Sequence, residues 1–195
     1  FRLDVTTPID VTLLGTTVNA FGNIDVNGND VDLDDNTFEN NTIISGAYDP
    51  NDKTPYPDEL SQEFVDGNKY IVYRIRFQNT GNDTAFNITV RDTINSPFLD
   101  VNSIQLLSAS HDYKFHIEDG NIGIWEFQNI LLPDSNINEP GSHGYIFFRI
   151  RVKNAGVAHG TEILNQAGIY FDFNPVVMTD PSVARADFES GIRDF

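Results

Sequence analysis

The chain has no cysteine among its 195 residues, which excludes disulfides, thiolate zinc sites and a cysteine nucleophile. It is also poor in positive charge, with 12 Lys and Arg against 29 Asp and Glu and a formal net charge of −17. Such a field repels nucleic acid and anionic lipid and disfavours phosphate binding, while suiting solubility or divalent cations. No apolar run approaches the roughly 18 residues a membrane span needs, so membrane insertion is not expected. Phe1 does not open a basic and apolar signal sequence, and the chain reads as an internal piece of a longer secreted or surface protein. No segment sustains a 3.6-residue apolar period over three turns.

What is present is alternation. In Tyr70 to Thr93, Ile71, Tyr73, Ile75 and Phe77 share one face of a run whose other face carries Val72, Arg74, Arg76 and Gln78. After a turn at Asn79 to Asp83, Phe86, Ile88 and Val90 alternate with Asn87, Thr89 and Arg91, so the stretch reads as a β-hairpin. Strand-like segments follow at Val101 to Ser108, Tyr113 to Glu118, Ile122 to Ile130 and Gly144 to Lys153, each bounded by Gly, Pro, Asn or Asp. A final strand, Thr161 to Asn174, puts Ile163, Asn165, Ala167, Ile169, Phe171 and Phe173 on one face. Recurring short strands with turn signals predict an all-β chain, an immunoglobulin-like Greek-key β-sandwich over residues 47 to 175. Its core is expected to hold Ile75, Phe77, Ile88, Phe148, Ile150 and Ile169. Residues 1 to 46, with short alternating stretches, read as the last strands of a preceding sandwich and a linker, and 176 to 195 as a C-terminal linker.

Two stretches invite a metal reading. Asp25, Asn27 and Asn29 occupy the first alternating positions of an EF-hand loop, but Gly28 comes too early and Asn36 stands where a bidentate Glu is required, leaving a solvated acidic loop. In the linker Gly46 to Pro57, Asp49, Asn51 and Asp52 gather beside Pro50, and are the candidate ligands for a calcium ion at the junction of two sandwiches. The alternative is a turn whose Asp side chains cap backbone amides.

Candidates for catalysis are thin. Ser142 and His143 are sequence neighbours, and neighbours on a strand point to opposite faces. Asp134 and Glu139 read as loop carboxylates. Trp125 is expected to be half-exposed on a sheet, as core packing or as a stacking platform for sugar. Asn165 is polar on an inward face and admits two readings: an amide that caps buried backbone groups, or the target of a lysine cross-link assisted by a buried carboxylate, as in some surface sandwich domains. Alternation places none of Lys53, Lys69, Lys114 and Lys153 clearly inward.

The segments YDPNDK, YRIRFQNTGNDTAFNITVRDTI, ILLPDSNINEPGSHGYIFFRI and NQAGIYFDFNPVVMTD together resemble a conserved-repeat, immunoglobulin-like domain of Bacteroidetes cell-surface and secreted proteins. The resemblance covers residues 42 to 180. It implies export by the type IX secretion system, in a parent protein where this domain precedes a sorting domain, and Asp83-Thr84-Ala85 and Asp92-Thr93-Ile94 are similar to O-glycan acceptor triplets of that group. The expected function is a non-catalytic extracellular structural or adhesion module that spaces or presents neighbouring domains of the same chain, with a surface glycan or protein as ligand of the parent; the alternative is a carbohydrate-binding module.

Overall fold

The computed structural model describes residues 17–23, 37–43 and 50–188. The chain divides into two compact units, residues 1–48 and 49–195. Of the first, the described part is an antiparallel pair, β1 (Thr17–Asn23) with β2 (Thr37–Ile43). The acidic run 25–36, the strand-like stretches 1–5 and 11–14, and Asp49 lie outside the described residues.

The second unit runs through β3 (Asp52–Tyr56), β4 (Glu59–Leu60), helix α1 (Gln62–Asp66), β5 (Tyr70–Gln78), β6 (Ala85–Thr93) and β7 (Leu99–Ala109). It continues with β8 (Lys114–Glu118), β9 (Ile122–Leu132), β10 (His143–Val152), β11 (Glu162–Asn165), β12 (Ala167–Phe171), β13 (Val177–Met178) and β14 (Ser182–Ala186). One sheet has the order β3-β5-β10-β7, and a second the order β13-β12-β6-β9-β8. A small third sheet, β11-β14-β4, includes the parallel pair β14 with β4. The all-β sandwich expected from the alternation is the fold observed.

The expected hairpin is corrected. β5 pairs with β3 and β10, whereas β6 pairs with β12 and β9, so residues 79–84 cross from one sheet to the other. Alternation shows that two runs are strands but not which partners they take. Asn79 fixes the crossing: its Nδ2 donates to the carbonyls of Asp83 at 2.8 Å and Leu132 at 2.9 Å, and its Oδ1 accepts from the Gly81 amide. A register shift between Ala85 and Asn87 turns Phe86 outward, so Ala85 takes the inward place assigned to it.

Three further expectations change. Asp52–Tyr56, read as linker, is an edge strand. The last strand breaks at Gln166 into β11 and β12, which belong to different sheets; its inward face holds from Ile163 to Phe171, but Phe173 is fully exposed. Residues 176–188, read as linker, contain β13 and β14, with Ser182, Ala184 and Ala186 buried. There the alternation is written in small side chains, which carry little hydrophobic signal.

The core lies between the two larger sheets. Trp125 of β9 meets Phe148 of β10 at 5.1 Å between centroids, Phe77 of β5 meets Phe127 of β9 at 5.4 Å, and Tyr73 stacks on Phe148 at 5.5 Å. All six expected core residues are buried, at 1% exposure or less. Gly144 is required by this packing, since a Cβ there would lie 2.1 Å from the Phe77 ring.

Candidate functional site

Three polar residues from distant parts of the sequence meet inside this apolar interior. Period two carries the inward face of Ile88 and Val90 on to Asp92, which is 0% exposed. Ala167 of β12 pairs in register with Asp92, and Asn165, buried two residues earlier at the end of β11, comes close to the carboxylate. Lys53 arrives from β3 in the opposite sheet, and its Nζ donates to Asp92 Oδ2 in a short ion pair whose two side chains are both closed to solvent. The ammonium end lies 4.5 Å from the centroid of the Tyr73 ring and 5.5 Å from that of Phe148. Aromatic walls thus keep water from the site.

Burial sets the electrostatics. It pushes the Lys53 amine down from 10.5 to about 8, outweighing the Asp92 charge that pulls the other way. Burial also pushes the Asp92 carboxyl up, opposed by Lys53 and, after it, by Asn165. The Tyr73 hydroxyl is raised by burial and then by the nearby Asp92 charge. Each group is therefore drawn towards its neutral form.

The hydrogen bonding is incomplete. Asn165 Oδ1 accepts from the Gln166 amide at 3.0 Å, yet Asn165 Nδ2, Asp92 Oδ1 and the Tyr73 hydroxyl are all buried with no hydrogen-bond partner. Asn165 approaches Asp92 closely enough to favour the carboxylate, but not in full hydrogen-bond geometry. Each unpaired buried group costs about 1–3 kcal/mol. Chemically, the trio brings an amine nucleophile, a proton carrier and a carboxamide carbon into one dry space.

Sequence reasoning missed two of the three. The expectation that no lysine turns clearly inward is corrected by Lys53, which was obscured because the Asp- and Pro-rich context of β3 imitates a turn. Asp92 could have been found by continuing the Ile88 and Val90 alternation by one step.

The other candidates are placed apart. Asn51 is buried and its Oδ1 accepts from the Gln78 amide at 3.2 Å, while Asp52 binds Arg76 through both oxygens at 2.7 and 3.0 Å. Among the described residues no group of three or more His, Asp or Glu is positioned to hold a metal ion. Ser142 is buried, its Oγ accepting from Gln78 Nε2 and donating to the Glu139 carbonyl, whereas His143 Nε2 contacts the Glu139 carboxylate at 2.8 Å. Asp134 Oδ1 accepts from the Asn136 and Ile137 amides and serves as a turn cap. Trp125, expected to be half-exposed, is wholly buried because the sheet of β10 covers it, so it offers no platform to a sugar. In the acceptor-like triplets, Asp83 Oδ1 accepts from the Thr84 amide and Asp92 belongs to the core. A shallow concavity lined by Asn51, Gln78, Asn79, Phe171, Asn174, Val177 and their neighbours contains no ionisable side chain.

The family described as a domain of unknown function (DUF7619) matches residues 49–184. No curated protein matches the chain at a significant level. Among solved structures, the chain is similar to two domains of the major pilin SpaD from Corynebacterium diphtheriae, at 16% identity and a TM-score of 0.47, over 68% of this chain and 51% of that one. It therefore spans about half of that pilin structure. It is similar to the collagen-binding domain of a Staphylococcus aureus adhesin at 12% identity and a TM-score of 0.43, over 73% and 99% of the two chains. The collagen-binding subdomain of the Enterococcus faecalis surface protein ACE gives 12% identity and a TM-score of 0.45, over 72% and 99%.

Proposed function

The chain belongs to the DUF7619 family, and from that premise we propose that it is a structural module of an extracellular or cell-surface protein, holding neighbouring domains apart and presenting them. The observation that supports this reading is the sealing of the reactive groups: Lys53, Asp92 and Asn165 are at most 4% exposed, beyond the reach of a substrate in solution. Among the described residues no helix is long and apolar enough to cross a membrane.

The experiment places the full chain between two fluorescent reporter domains and reads their separation by energy transfer. The expected result is one narrow distance distribution, unchanged by denaturant until the sandwich unfolds. A broad distribution like that of a flexible linker of equal length would overturn the spacer reading. Glycan-array binding at micromolar strength would instead favour a carbohydrate-binding module.

A further inference from the structure

Going beyond the spacer role, we infer that Lys53 and Asn165 are joined by an intramolecular isopeptide bond, formed inside the folded sandwich with Asp92 carrying the proton. The observation behind it is convergence: an amine and a carboxamide from residues far apart in sequence, both buried, each lie next to the same buried carboxyl. As a structural polar cluster the trio is poor, because Asn165 Nδ2 and Asp92 Oδ1 remain unpaired. As a set of reactants it is complete.

The steps balance without any further reagent. The lone pair of the neutral Lys53 Nζ adds to Cγ of Asn165, while the protonated Asp92 carboxyl donates to the carboxamide and stabilises the tetrahedral adduct. The Cγ–Nδ2 bond then breaks. Nδ2 leaves as ammonia, taking the proton that Asp92 supplies, and Asp92 recovers one from Nζ. The net change is amine plus primary amide to secondary amide plus ammonia, with no oxidation or reduction. Burial favours the required forms, since it draws the amine and the carboxyl towards neutrality together. The aromatic walls of Tyr73 and Phe148 keep out the water that would otherwise hydrolyse the amide. Only the folded chain assembles these groups, so the reaction follows folding.

Mass spectrometry of the intact, full chain decides the matter. The expected mass lies about 17 Da, one ammonia, below that of the sequence. Trypsin should leave Lys53 uncut and yield one branched peptide that holds Lys53 and Asn165 together. Lys53→Met and, separately, Asn165→Ala should both return to the sequence mass, with folding checked by circular dichroism. Asn165→Ser serves in place of either variant that does not fold, because it removes the acyl carbon and keeps Lys53 beside Asp92. Wild-type protein that stays at the sequence mass after prolonged incubation in the folded state overturns the inference. So does a mass loss that survives in Lys53→Met, which would mean that Asn165 had closed on its own backbone. Mass is read independently of reporter separation, so either result can fail while the other stands.

Discussion

Lys53 on β3 and Asp92 on β6 meet across the interior from opposite sheets, and theirs is a polar connection made where the sandwich is otherwise held by rings and aliphatic side chains. An ion pair in such a place is costly to desolvate, and replacing it by well-packed apolar side chains is often no worse for stability.

Closing the Lys53 to Asn165 link should stabilise the module by restricting the unfolded chain. The enclosed loop is of roughly a hundred residues, for which chain entropy predicts about 4–5 kcal/mol. Urea melts of wild type and Asn165→Ala should differ by an amount of that order, with the wild-type midpoint higher. Coincident midpoints would show that no covalent constraint is present.

In the unlinkable Asn165→Ala protein, stability should rise as the pH climbs above about 8. Lys53 loses its proton at about 8 when folded but holds it up to 10.5 when unfolded, so in this window the unfolded state binds more protons and raising the pH favours the native state. Below it, the raised Asp92 works in the other direction, its contribution fading as the pH climbs through its folded value. Tyr73, also raised, would begin to oppose folding only above its ordinary 10.0. The control is Lys53→Met in the same background, whose melts should lack the rise.

Phe148→Ala should cost about 3–5 kcal/mol, because the ring is fully buried between Tyr73 and Trp125 and leaves a cavity that neither can fill. A denaturation midpoint that moves by less than about 1 kcal/mol would contradict the position assigned to it.

Residues 49–188 should fold without the first unit, since every strand of both large sheets lies within them. The expected result is a single cooperative transition for the truncated protein, the same by fluorescence and by circular dichroism. Transitions that separate by probe would mean that the first unit supplies part of the fold.

The sandwich was legible in the sequence where alternation was written in large apolar residues, as in Ile71 to Phe77 and Ile146 to Val152. Where Ser182, Ala184 and Ala186 carry the same pattern the signal is too weak to see, and the last strand passed for a tail. Pairing partners were not legible at all, because β5 and β6 look the same whether they join each other or opposite sheets. Of the candidate site, Asn165 was visible as a polar residue on an inward face. Lys53 was hidden by Asp52, Pro50 and Pro55, whose turn-forming chemistry outweighed the alternation of so short a strand.

The parallel pairing of β4 with β14 bears on how the module meets tension. The Arg185 amide donates to the Asp58 carbonyl at 2.7 Å and the Asp187 amide to Leu60 at 2.9 Å, joining the beginning of the sandwich to its end. A force acting on β4 and on the far end of β14 slides parallel strands along each other, so these bonds would be sheared together, whereas an antiparallel pair at the same place would unzip one bond at a time. The joint between β4 and β14 thus ties the opening segment of the sandwich to its last strand.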